Sequence, residues 1–115
     1  LVVTAGKAFV ASRMKNTSDS AMSHMAIGSG TTAAAAGQTA LVTELGRVSL
    51  TSTTVSSNVI TYVASFAAGT GTGAVTEAGI LNASSNGTML CRTVLSVVNK
   101  GSADSMTITW TVTVS

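Results

Sequence analysis

The stretch MTITWTVTV, residues 106–114, decides the fold. Met106, Ile108, Trp110, Val112 and Val114 take alternate positions, and Thr107, Thr109, Thr111 and Thr113 fill the places between them. Successive side chains of a β-strand point to opposite faces, so this pattern gives one apolar face and one hydroxyl face. A strand of this kind is half-buried and needs a second layer to pack on. The rest of the chain uses the same alphabet. In 115 residues, 19 Thr, 14 Val and 4 Ile make 37 β-branched positions, and 16 Ser add to the hydroxyl count. Such residues suit a pleated surface.

Working back from that strand, KGSADS (100–105) reads as a turn and TMLCRTVLSVVN (88–99) as the strand before it. Asn86-Gly87 is a type I′ hairpin signal, because both central positions must tolerate positive φ, and TEAGILNAS (76–84) is the strand it returns from. Gly69, Gly71 and Gly73 alternate in AGTGTGAV (68–75), a flexible loop long enough to carry the chain to another sheet. VITYVASFAA (59–68) is a strand, and SSN (56–58) turns it back on a preceding strand that begins near Arg47 with Val48 and Leu50 alternating. Upstream, residues 31–37 form a loop, residues 39–45 a turn or short helix, and AMSHMAIGSG (21–30) a buried strand stopped by Gly28 and Gly30. Asn16 to Ser20 is a polar turn. Residues 3–15 predict a helix with Thr4 as N-cap, weakened by Gly6. The expected fold is mainly β: one antiparallel β-sandwich or jelly-roll-like domain over residues 1–115, with a short N-terminal helix and residues 1–15 as a helical arm.

Charge narrows the function. The chain has six Lys+Arg and four Asp+Glu, 9% charged residues, and a mean hydropathy of +0.48, whereas about 25% is usual. Nucleic-acid binding needs a dense basic footprint, which a net charge of +2 over six isolated positions does not supply. Disorder needs low hydrophobicity with high net charge, the reverse of this composition. No apolar run approaches the ~18 residues needed to span a bilayer. The N-terminus lacks a basic leading region and reads poorly as a secretion signal, so the expected product is made in the cytosol and contacts neither nucleic acid nor membrane. One cysteine, Cys91, forbids an intrachain disulfide and reads as a small buried hydrophobe.

Sites of chemistry are few. His24 is the single histidine, and no G-x-S-x-G motif aims a nucleophile at it. With one His and one Cys, no metal or cofactor is expected. GSGTT (28–32) faintly suggests a phosphate loop, but no Lys follows until Lys100, so it reads as a tight turn. Three N-x-S/T triplets, at Asn16, Asn82 and Asn86, match the chance expected of a Ser/Thr-rich chain. Trp110 and Tyr62 read as core residues rather than a sugar platform. The informative charges are Glu77 and Arg92, on strands joined by the Asn86-Gly87 turn and placed for cross-strand pairing. Glu44 and Arg47 form a second candidate pair. The candidate interface residues are Val2, Val3, Lys7 and Arg13 of the arm, Thr31 and Thr32, and Gly69, Gly71 and Gly73.

The order TAGKAFVA (4–11), AIGSGTT (26–32), TALVTELGR (39–47), TEAGILNA (76–83), GTMLCRT (87–93) and the closing TITWTVTV (107–114) resembles small virion structural proteins of tailed bacteriophages. These are of tail-fibre, collar-fibre or head decoration (cement) type. The resemblance implies a non-enzymatic protein that packs on other virion proteins, lodged in the virion after synthesis in the bacterial cytoplasm, and forming homo-oligomers. A chain that closes on a core strand, with no shaft after it, suits decoration of the major capsid protein better than a tail or fibre-attachment component. A surface so poor in charge also fits burial in a larger particle.

Overall fold

The computed structural model describes residues 1–15 and 19–115. Asn16, Thr17 and Ser18, which carry the first N-x-S/T triplet and most of the polar turn, lie outside the described residues. Among the described residues a helix, α1 (Thr4–Met14), precedes seven strands: β1 (His24–Gly28), β2 (Glu44–Ser49), β3 (Ser52–Ser56), β4 (Val59–Phe66), β5 (Gly73–Leu81), β6 (Met89–Lys100) and β7 (Met106–Thr113). Two sheets form, one in the order β2-β1-β5-β6 and the other β3-β4-β7. Every pairing is antiparallel. The mainly β fold with two antiparallel sheets and one short N-terminal helix is the architecture the alternation predicts.

The chain moves between sheets three times, at β2–β3, β4–β5 and β6–β7, and the first two crossings are set by local sequence. Leu50 and Thr51 break the strand that begins at Glu44, so β2 pairs in the first sheet and β3 in the second. The glycine-alternating loop returns the chain from β4 to β5, with Gly69 (φ 85°) and Gly71 (φ 69°) in the left-handed region. Between β3 and β4 the turn falls at Ser57-Asn58, with Ser57 at φ 56°. The expected helix or turn at 39–45 gives no helix. Its last two residues, Glu44 and Leu45, already belong to β2.

Met25, Ile27, Ala78, Ile80 and Cys91 of the first sheet meet Tyr62, Ala64 and Phe66 of the second in the main core. The inner row of β7, Met106 to Val112, packs against this core but stays half-buried. Trp110 is therefore a core-edge residue rather than a fully buried one. A smaller cluster, Val3, Ala26, Leu41, Leu81 and Met89, forms on the opposite face of the first sheet, under the loop of residues 29–43.

Two local expectations are corrected. Thr4 does not cap α1: the cap position is Val3, in extended conformation, with no side-chain cap bond. Tertiary backbone partners replace the cap. Thr4 N–H donates to Ala36 O at 2.8 Å, and Val3 N–H to Leu90 O at 3.2 Å. Asn86 (φ 53°) and Gly87 (φ 77°) do adopt positive φ, but the tight two-residue hairpin is absent. Leu81 pairs with Met89, so the turn sits inside a longer loop whose neck is closed by Asn82 N–H to Thr88 O, 3.2 Å, and Thr88 N–H to Asn82 Oδ1, 2.7 Å. A bulge between Ile80 and Leu81 supplies the extra residue.

Candidate functional site

Glu77 and Arg92 meet as the sequence predicts, by a diagonal path. The β5–β6 loop and the irregularity between Ile80 and Leu81 set the register, so Glu77 lies opposite Val94 and Arg92 opposite Gly79. Arg92 Nε donates to Glu77 Oε1 at 2.9 Å, and neither side chain is exposed. The pair lies on the face of the first sheet turned away from the second, beneath residues 29–43. There the carboxylate gathers backbone donors. Gly30 N–H reaches Oε2 at 2.7 Å, Thr43 N–H reaches Oε2 at 2.8 Å, and Val42 N–H reaches Oε1 at 2.9 Å. Arg92 Nη1 donates to Thr32 O at 2.9 Å and to Gln38 Oε1 at 3.1 Å. Its Nη2 has no protein partner among the described residues.

The faint phosphate-loop look of residues 28–32 thus has a physical reading. Gly30 opens its backbone N–H to an anion, and the anion is the chain's own carboxylate. A Cβ on Gly30 would come within 2.6 Å of Val42 Cβ and 2.9 Å of Glu77 Cδ, so only glycine fits there. Burial by itself pushes the Glu77 carboxyl up, but the Thr43 and Val42 N–H groups, the Arg92 guanidinium and the Gly30 N–H outweigh it and hold it below the usual carboxylate range. With its oxygens engaged in this way, Glu77 fixes a loop rather than shuttling a proton. Its contribution to stability is complete above the ordinary carboxylate pKa of about 4.3 and is lost as pH falls through the lowered folded value. Urea midpoints measured from pH 7 downward are expected to stay flat until the carboxylate range and then drop; in Glu77→Gln that part of the acid limb should disappear.

Glu44 and Arg47 also pair, at the rim. Arg47 Nη2 lies 2.7 Å from Glu44 Oε1 and Nε 3.2 Å from Oε2, while Nη1 donates to Ala83 O and Asn86 O, both at 2.9 Å. Arg47 thereby clamps the β5–β6 loop against β2. Sequence reasoning missed a third internal charge. Lys100, read as the opening of a turn, is 3% exposed, and its Nζ donates to Ala67 O at 2.9 Å and Asp104 O at 2.7 Å. The available signal was a lone Lys closing a long apolar strand beside Gly101 and Asp104.

Of the candidate interface residues, Lys7, Arg13, Thr31, Thr32 and Gly69 are exposed. Val3 is fully buried and Gly71 is buried, so neither offers a surface. Val2 and Gly73 are half-buried. The N-terminal segment is engaged by the chain's own sheet: Val2 bridges Cys91 on the outer edge of β6, and Leu1 and Arg92 exchange backbone bonds of 2.9 and 3.0 Å. Cys91 is buried, as its neighbours predicted, and burial pushes its thiol up to about 12. Native protein is expected to resist iodoacetamide at pH 8, with stoichiometric alkylation only after unfolding; intact mass reads the difference.

His24 faces hydroxyls. Its Nδ1 lies 2.7 Å from Ser23 Oγ and its Nε2 3.4 Å from Ser49 Oγ. Among the described residues no carboxylate bonds either ring nitrogen, and no group of three His, Cys, Asp or Glu is arranged to hold a metal ion. No described helix is long and apolar enough to cross a membrane. No protein-family model, curated protein or solved structure matches the chain.

What the molecule presents outward is hydroxyl-rich sheet. On the outer face of β3-β4-β7, Thr54, Thr61 and Thr111 stand in one row, Ser52, Val63 and Thr109 in the next, and Ser65 bonds Thr107 at 3.0 Å. No charged residue lies on β3, β4 or β7.

Proposed function

We propose that this chain is a non-enzymatic structural protein of a bacteriophage virion, and that it decorates the assembled capsid as a cement protein seated on the major capsid protein. The observation that carries this reading is the withdrawal of charge from the surface. Glu77, Arg92 and Lys100 are buried, Glu44 is engaged by Arg47, and a whole three-stranded sheet is left without a charge. A protein that lives alone in water keeps interspersed charge for solubility. One whose faces are covered by neighbours has no such need. The resemblance of its ordered motifs to small virion proteins supports the same assignment.

The mechanism is mass action. A protein that binds the assembled shell and not its dispersed subunits stabilises the shell by its binding free energy. Internal pinning by Glu77, Arg47 and Lys100 keeps the loops in one shape, which lowers the ordering cost on docking. Quantifying this chain in purified particles tests the proposal. Hundreds of copies on the head, with heads lacking it opening at lower temperature, support it. A few copies confined to the tail would transfer the chain to the tail or fibre-attachment class, and its absence from particles would overturn the virion reading.

A further inference from the structure

We propose that the free edge of β7 joins two copies of this chain, antiparallel, about a two-fold axis passing through Trp110. Among the described residues, strand β7 is the last of its sheet and pairs only with β4. The pattern of that pairing determines which of its backbone groups are unused. Val114 N–H donates to Asn58 O directly opposite it, so that position is a hydrogen-bonded pair. Bonded and non-bonded pairs alternate along an antiparallel ladder. Val112, Trp110, Ile108 and Met106 therefore turn their backbone groups to β4. Thr107, Thr109, Thr111 and Thr113 turn theirs to the open edge. The Ser65–Thr107 side-chain bond agrees, since side chains approach more closely at non-bonded pairs.

The other edges are blunted and this one is not. The outer edge of β6 is covered by residues 1–3 near Cys91 and broken by the irregularity opposite Val75 and Glu77. Strand β2 carries Glu44 and Arg47, and β3 has five residues. Strand β7 has eight residues in unbroken register and contains no charge, Pro or bulge. Proteins that must stay monomeric use those devices to protect an edge.

The occupant is a second copy because the strand is complementary to itself. Directly opposed residues share a face, so a two-fold axis through Trp110 sets Thr109 against Thr111 and Thr107 against Thr113, all bonded pairs. The same axis sets Ile108 against Val112 and Met106 against Val114 on the apolar face. A one-residue slip would put Thr on Trp and is excluded by the face rule. Trp110, Ile108 and Met106, only half-buried in one copy, also line a groove of about 490 Å³ with Leu95 and Val98, which the partner would cover. Strand β7 itself carries no charge; the Leu1 ammonium and Lys7 border the grooves beside it, and Asp104 falls beyond the partner's last strand residue. An edge of eight residues runs about 27 Å, and two layers bury roughly 500 Å² per copy. Both faces together reach about 1,000 Å², the lower limit for a specific interface, so the dimer is a concentration-dependent one.

The pairing rests on the strand edge alone; its failure would leave the virion reading, judged by copy number, where it stands. Sedimentation velocity from micromolar to millimolar protein is expected to show a monomer–dimer equilibrium, with amide exchange at Thr109 and Thr111 slowing as concentration rises. Thr109→Lys with Thr111→Lys, both exposed positions, opposes like charges and should weaken the dimer about 100-fold or more. Thr109→Glu with Thr111→Lys opposes unlike charges in the same register and should keep it. A monomer at millimolar concentration overturns the proposal, as does Thr109 exchange independent of concentration, or a dimer indifferent to the double lysine. The exchange readout uses the unmodified chain, so it decides the matter even where a variant does not fold.

Discussion

Glu77→Ala is expected to lower folding stability by about 3–5 kcal/mol, the cost of leaving one member of a buried ion pair behind. The loss has two parts. Arg92, with an exposure of 0%, keeps its charge without its carboxylate. The N–H groups of Gly30, Val42 and Thr43 also lose their acceptor. The Gly30 N–H is buried, and a buried donor left unmade costs about 1–3 kcal/mol before relaxation, while the part-buried Val42 and Thr43 donors cost less. The second part makes the pair asymmetric. Arg92→Met leaves the carboxylate with its three backbone donors, so it should cost less than Glu77→Ala. Replacing both residues by apolar ones, which is neutral in some buried pairs, should still be destabilising here because the loop donors remain. Equilibrium urea unfolding of the three variants measures this order. Equal losses for Glu77→Ala and Arg92→Met would show that the loop donors contribute nothing.

That site was half legible in the sequence. Two opposite charges in a chain with ten of them, set symmetrically about a turn, pointed to a pair. The pair forms despite a register different from the simple hairpin, because Arg is long enough to reach diagonally and Gly79 opposite it has no side chain to bar the way. The backbone donors were not legible. They come from residues 30, 42 and 43, far along the chain from residue 77, and loop backbone carries no side-chain signature. The same limit hid the role of Lys100, whose acceptors are carbonyls of Ala67 and Asp104. Period-two alternation revealed β7, and the glycines at 69, 71 and 73 revealed the crossing between sheets. Neither signal contains strand order. That β1 lies between β2 and β5 follows from long-range packing of Met25 and Ile27 into the core and Ala26 onto the other face, which any buried strand of this length would satisfy equally.

Gly6→Ala is expected to destabilise by about 3 kcal/mol, the upper part of the range for an overpacked core, although helix propensity alone favours alanine by roughly 1 kcal/mol. Gly6 is the buried residue of α1 and lies against β6. A Cβ there would press on the Leu90 carbonyl oxygen and come within 2.8 Å of both Leu90 C and Leu90 Cα. These are backbone atoms of a strand bonded to Val3 on this side, so they cannot swing away as a side-chain tip can. The helix must lift instead. Lifting it withdraws Phe9 and Val10 from the core cluster and pulls on Val3, which is fully buried and bonded to Leu90. The glycine that weakens the helix in the sequence is thus what lets the helix dock. Calorimetry, with amide exchange over residues 1–15, separates the two effects. A higher melting temperature in Gly6→Ala would mean that propensity outweighs contact and that α1 does not sit tightly on β6. Gly37→Ala is the matched control, because nothing lies within 4 Å of a Cβ at Gly37, and its stability should stay within about 0.5 kcal/mol of the parent.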